Sequence, residues 1–439
     1  MQVDKTTLTD LSIFHRDEEQ SVFHYLNFTH TNGGREYFRH LLGSPLSSVN
    51  QIQDTQHSIQ ILQSLRKDWP LEQVTNGTIM VLEKFYETAI ETYPKQPSLL
   101  NSLYYQLFSS PDYSITKYTV EHTIEFLKGM QQIVNVALQI KLSTQLQLWI
   151  NTIEHLLNKA VIKEMIAVNK DEKLSASTIL AFGIFLRNHF KRPSTDLIDI
   201  FCKLDAYMSM AIACEHFKLS FPEMAESNQP YVEAKGLYHL LLPLPVAYDT
   251  DLSIQRNFIF LTGANMGGKS TYIKAIGLSV YLAHLGMGVP AKSMRLSLFH
   301  GLLSNIQVED NILKGESYFF NEVQRIKKTL EKISDGKNWL ILIDELFKGT
   351  NIQDAMKCST VVIEGLRKMQ NSLFILSTHL YEIGEGLKQY PNIQFRYFET
   401  SMENDQLEFS YQIKEGISND RIGYLILKRE GVTDILDKL

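Results

Sequence analysis

Gly263-Ala264-Asn265-Met266-Gly267-Gly268-Lys269-Ser270-Thr271 has the spacing G-x-x-x-x-G-K-[ST], which wraps backbone N–H groups around a phosphate chain. A helix N-terminus after the loop adds its dipole to that attraction. In this setting the Lys269 ammonium reaches the β- and γ-phosphates of ATP, and the Ser270 hydroxyl holds Mg²⁺. Asp344-Glu345 ends the apolar run Trp339–Ile343. A buried strand delivers such a pair to the sheet edge, where Asp344 can ligate the metal and Glu345 can polarise an attacking water. Phe374-Ile375-Leu376-Ser377-Thr378-His379 is a second apolar run with a polar end. It would place His379 against the γ-phosphate or its water. Ser317 opens a helix expected over about Tyr318 to Ile333, where it makes a good N-cap.

The elements that must position these residues read as α/β. Asn257–Thr262 has the character of a buried strand, and Tyr272 to Leu285 that of a helix. Further strand-like runs are Trp339–Ile343, Leu373–Ser377, Phe395–Glu399 and Leu407–Gln412, alternating with helices. That alternation predicts a twisted, largely parallel sheet covered by helices. Residues 1 to about 215 show helical periodicity instead. Helices are expected within Leu8 to Leu42, broken near Thr29-His30-Thr31-Asn32-Gly33-Gly34, and over Ser48–Leu65, Ile115–Ile140, Thr144–Val168, Ser175–Phe190 and Thr195–His216. Between the halves, Pro222, Pro230, Pro243 and Pro245 break helices, and Tyr231–Ala234 and Val246–Tyr248 read as short strands. The expected fold is thus all-α plus α/β, with a helical domain over residues 1–217 and a nucleotide-binding domain over 218–439.

The chain has 439 residues, more than one hydrophobic core serves. Its net charge of −6 gives no general affinity for nucleic acid, so any DNA-binding surface must be a local basic patch. Cys202, Cys214 and Cys358 lack metal-ligand spacing and suggest a reducing compartment. No basic stretch followed by an apolar run opens the chain, and no apolar run reaches the roughly 18 residues that span a bilayer. A cytoplasmic protein without a membrane partner is expected.

The order of phosphate loop, Asp-Glu strand and His strand is similar to that of ABC-type ATPases. More specifically, the chain resembles the MutS mismatch-repair family. Its phosphate loop departs from that family's G-P-N-M-G-G-K-S-T only at Ala264. Asp344-Glu345-Leu346-Phe347-Lys348-Gly349-Thr350 looks like D-E-x-x-R-G-T with Lys348 for arginine, and Ser317-Tyr318-Phe319-Phe320-Asn321-Glu322 is similar to S-T-F-x-x-E. Ser377-Thr378-His379 matches the T-H segment, and Ser418 to Gly431 is similar to a terminal dimerising helix-turn-helix region. Thr31-Asn32-Gly33-Gly34-Arg35 and Leu41–Leu46 resemble the opening of the family's helical core.

The resemblance implies an ABC-type P-loop ATPase domain preceded by a helical core and lever domain. It implies ATP and Mg²⁺ as ligands, a homodimer through the ATPase domain, and DNA as partner. Ser317 would contact the γ-phosphate held by the other subunit. The family's adenine-stacking aromatic falls about where Pro245-Val246 stands, and Tyr248 is the nearby substitute. The chain begins at the helical core, so the family's mismatch-reading and connector domains are expected to be absent. Phe85-Tyr86-Glu87 fits the letters of the mismatch wedge but falls in a core helix. Two other functions remain open: a DNA-independent ATPase acting on a protein, and a nucleotide-gated switch with little turnover.

Overall fold

Phe258–Thr262 (β4) and Ser372–Ser377 (β8) are buried along their whole length. Strands covered on both faces belong at the centre of a parallel sheet. The computed structural model describes residues 1–70, 73–88, 98–169, 172–306, 318–403, 406–418 and 432–436. In it, β4 and β8 pair with each other inside a six-stranded sheet. The other strands are Gly301–Asn305 (β6), Trp339–Asp344 (β7), Ile393–Glu403 (β9) and Gln406–Glu415 (β10). Their order is β10-β9-β4-β8-β7-β6, with every neighbouring pair parallel but β9 and β10. A smaller sheet joins Glu223–Ala225 (β1), Val232–Leu237 (β2), Tyr248–Leu252 (β3) and Ser293–Ser297 (β5) in the order β1-β5-β2-β3.

The chain divides into two compact units. One contains Met1–Tyr25, Ser44–Gln53 and His216–Leu439, including both sheets; the other contains Leu26–Gly43 and Asp54–Glu215. The sheet-bearing unit resumes at His216. The N-terminal segment, however, groups with the sheets. Gln2 forms a parallel bridge with Gly301 beside β6. Asp10, 1% exposed, accepts hydrogen bonds from Ser304 Oγ at 2.5 Å and Ile306 N at 3.0 Å. Burying that carboxylate without partners would be costly, so the contacts fix the segment to the end of β6.

The second unit is helical. Its long helices are Ser110–Ala137 and Lys191–His216, with Phe126, Leu127, Met130, Ile133, Leu197 and Leu204 fully buried. The helix Asn32–Leu42 begins where Thr31 caps Gly34 N at 3.1 Å. Asp205 accepts from Thr31 N at 2.9 Å and Thr31 Oγ1 at 2.7 Å, which ties this start to the Lys191–His216 helix. Phe85, at 1% exposure, is core in the helix Asn76–Glu87.

Several boundaries differ from the sequence reading. The Thr144–Val168 helix is two, Thr144–Leu157 and Ala160–Ala167, broken at Asn158. The Ser175–Phe190 helix ends its α form at Phe185 and continues as a π turn over Leu186–Phe190. The short helices Lys5–Asp10 and Val22–Leu26, with a 3-10 turn at Glu18–Gln20 between them, precede Asn32. The strand read at Val246–Tyr248 instead starts at Tyr248, and β1, β5 and β6 were not foreseen. Among the described residues no helix is long and apolar enough to cross a membrane.

Candidate functional site

β8 lies between β4 and β7. Register pairs Leu261 with Ser377 and Ser377 with Asp344, so the C-terminal ends of the three strands open on one edge. Such an edge, where strands adjacent in sequence are separated in the sheet, is where parallel sheets bind ligands.

From β4 the chain turns into the phosphate-loop sequence. Gly263 has φ +129° and Gly268 has φ +109°, conformations that side-chain-bearing residues rarely adopt. A Cβ on Gly263 would also meet the Phe398 backbone oxygen at 3.1 Å. Phe398, on β9, thus forms the floor of the loop. Ala264 is buried and Gly267 is buried, while Asn265 and Met266 face outward, Met266 at φ +67°. The helix Lys269–His284 follows, with Ser270 and Thr271 half-buried in its first turn.

Lys269 is 5% exposed, and its Nζ donates to Gly263 O at 2.8 Å and Ala264 O at 2.9 Å. Burial pushes its pKa down to about 8, against the opposing pull of Glu345 and Asp344. Ser270 Oγ donates to Asp344 Oδ2 at 2.5 Å, and Ser377 Oγ donates to Asp344 Oδ1. A hydroxyl and a carboxylate therefore converge at one place. The hydroxyl of Ser377 was missed from sequence; its position opposite Asp344 in the neighbouring strand was the available signal.

Glu345 has φ +66°, in the left-handed region, as does Phe347 at +58°. Its carboxylate meets His379 Nε2 at 2.8 Å and Lys348 Nζ at 3.0 Å. Burial would raise the Glu345 carboxyl, but the hydrogen bonds from His379 and Lys348 outweigh it and bring the pKa down to about 2. His379 Nε2 also lies 3.4 Å from Lys269 Nζ. The loop after Glu345 is held from another side. Glu322, 3% exposed on the helix Tyr318–Ile333, accepts from Lys348 N at 3.3 Å and Gly349 N at 3.4 Å. Phe319 packs on Phe347 with ring centroids 5.6 Å apart. Glu322 thus links the helix that follows Ser317 to the loop that carries Glu345.

The structure brings Lys269, Ser270, Asp344, Glu345 and His379 together. Tyr248 is 5% exposed, and its ring contacts are edge-on to Tyr272 at 5.4 Å and Phe398 at 5.8 Å. Ser317 and the segment 419–431 lie outside the described residues. Among the described residues no group of three or more His, Cys, Asp or Glu side chains gathers as a metal site. Ser270 and Asp344 instead form a pair of hard oxygen donors, which suits Mg²⁺, an ion that keeps waters and takes its remaining ligands from phosphate.

Residues 259–436 match the family model for MutS domain V. The chain is 28% identical over 240 residues to the DNA mismatch repair protein MutS of Lactococcus lactis subsp. cremoris (strain SK11), covering 53% of this chain and 28% of that protein. It is 26% identical over 285 residues to the DNA mismatch repair protein MutS of Halalkalibacterium halodurans, covering 62% and 32%. It is 27% identical over 247 residues to the DNA mismatch repair protein spellchecker 1 of Drosophila melanogaster, covering 54% and 27%. The aligned stretch spans less than a third of the length of each of these relatives. The stretch 259–436, which carries most of the candidate site, is thus similar to MutS domain V, and the chain is similar over about half its length to these mismatch repair proteins.

Proposed function

We propose that the protein hydrolyses ATP to ADP and phosphate with Mg²⁺, works as a homodimer through its ATPase domain, and couples nucleotide state to its helical unit on DNA. The observation that carries the reading is the convergence of Lys269, the Ser270–Asp344 pair, Glu345 and His379 at one sheet edge. Lys269 supplies a buried positive charge that a phosphate would take over from the two loop carbonyls. Backbone N–H groups at the start of the Lys269–His284 helix add to that attraction. Ser270 and Asp344 would hold the metal, which when bound supplies Lewis acidity toward phosphate oxygens. Glu345 accepts a proton from the attacking water, and His379 orients the Glu345 carboxylate.

Each site would be completed by Ser317 of the second copy, in an isologous dimer that makes two equal sites. Tyr248 is proposed to lie beside the adenine. The helical unit is read as the family's core and levers. DNA enters because the relatives carry the name of DNA mismatch repair proteins; a deformed or branched duplex read by shape and backbone is the proposed substrate.

A second reading, a nucleotide-gated switch with little turnover, is favoured by the pairing of Glu345 with both His379 and Lys348, which weakens it as a base. Steady-state phosphate release with ATP and Mg²⁺ separates the two. Binding to homoduplex, mismatched, forked and four-way DNA, with and without ATP at two salt concentrations, tests the partner. Binding to none of these at low salt would leave a protein as the substrate of the helical unit.

A further inference from the structure

The helix Leu99–Phe108 is inverted in its amphipathicity. Ser102 and Tyr105 face inward, 2% and 1% exposed. Its outward stripe is Leu100 at 80%, Leu103 at 54%, Tyr104 at 63%, Leu107 at 72% and Phe108 at 73% exposure. The spacing i, i+3, i+4, i+7, i+8 makes these one continuous face, and the Tyr104 and Phe108 rings stack at 4.7 Å. A helix that turns its larger apolar side chains to water is unusual in a monomer and marks an interaction site.

We infer that this face is a contact between two copies of the chain, formed by pairing of the Leu99–Phe108 helices about a two-fold axis. Three observations select that occupant. From Ser98 to Ser110 no residue is charged, so a copy of the stripe meets itself without like-charge repulsion. The absence of Lys and Arg from this helix removes the cations that nucleic acid or an anionic membrane surface would need. Side chains of these sizes at these exposures offer roughly 700 Å² per copy, close to the about 800 Å² that each partner contributes to a stable interface. The i, i+3, i+4, i+7 stripe also suits packing of one helix against another. The contact is separate from the ATPase-domain dimer and needs no nucleotide.

Sedimentation velocity of the full chain without nucleotide, at micromolar concentrations, tests it. Because a second two-fold contact joins more copies than the ATPase-domain contact alone, the wild type is expected to sediment as a larger species than the double variant. Leu103→Glu with Leu107→Glu should weaken the added association by roughly a hundredfold, with an unchanged circular dichroism spectrum because both positions are exposed. In a second measurement, Tyr104→Cys, near the middle of the stripe, should form a disulfide between copies on mild oxidation beyond any background from Cys202, Cys214 and Cys358. A wild type that stays monomeric overturns the inference, including the case in which it binds neutral vesicles or another protein instead. A double variant that sediments like the wild type, or a Tyr104→Cys variant without added cross-linking, overturns it as well.

Discussion

Glu345 Oε1 lies 2.8 Å from His379 Nε2, joining the carboxylate beyond β7 to the imidazole beyond β8. With its Nε2 proton given to Glu345, His379 has no acceptor there for Lys269 at 3.4 Å. The contact orients Glu345 but also holds its negative charge. Lys348, at 3.0 Å, does the same from the other side.

Removing Lys348 should therefore loosen the brake. Lys348→Met takes away one of the two donors that bring Glu345 down to about 2, and its carboxyl rises toward the ordinary range. Basal phosphate release should increase several-fold with ATP affinity unchanged. A lower kcat would instead place Lys348 among the groups that assist the reaction.

Lys269→Ala should abolish a charge-assisted contact to phosphate, costing roughly tenfold or more in ATP affinity. Titration calorimetry with ATP and Mg²⁺ on the folded variant measures this. Wild-type affinity would remove Lys269 from the nucleotide site.

His284 gives a pH dependence unrelated to that site. The ring is fully buried; Nδ1 donates to Val280 O at 2.8 Å and Nε2 accepts from Phe299 N at 3.0 Å. Burial lowers its pKa from 6.5 to about 4. Between these values the unfolded chain binds a proton that the folded chain does not. Stability should thus fall as pH drops from about 6.5 to about 4, by roughly 3 kcal/mol from this group. His284→Gln should lower stability at pH 7 and flatten that slope. His239, also lowered to about 4 by burial, adds a second contribution of the same sign. Denaturant titrations at several pH values would read the slope, and an unchanged slope in the variant would refute the assignment.

The strands that form the site were legible because they are buried on both faces and read as unbroken apolar runs, as in Phe258–Thr262 and Trp339–Ile343. The edge strand β6 was not. It opens on Gly301, where a Cβ would come within 2.0 Å of the Trp339 ring, and ends in Ser304-Asn305. Packing against a tryptophan distant in sequence decides Gly301, and the buried carboxylate of Asp10 decides Ser304; periodicity carries no trace of either. The docking of Met1–Tyr25 beside β6 likewise depends on the nonlocal Gln2–Gly301 bridge and on Asp10. In the candidate site, motif spacing singled out Lys269, Ser270, Asp344 and Glu345, which the fold places at one sheet edge. The pairing of Glu345 with Lys348 and the Glu322 contacts to the following loop arise from backbone turns at positive φ, which local sequence pattern does not report.

In the helical unit, Asp205 is the most exacting polar group. It is 3% exposed and accepts from His30 N at 3.0 Å, Thr31 N at 2.9 Å and Thr31 Oγ1 at 2.7 Å. Asp205→Ala strands these donors and should cost about 3 kcal/mol, visible as a lower denaturation midpoint. A loss below about 1 kcal/mol would mean that water replaces the carboxylate at little cost.

Hydrolysis by Glu345→Gln tests the central claim most directly. The amide keeps the size of the side chain but cannot take a proton from water. Phosphate release should fall by at least about a hundredfold, while ATP affinity stays within a few-fold of wild type. Release at the wild-type rate would contradict the assignment of this site as the centre of ATP hydrolysis.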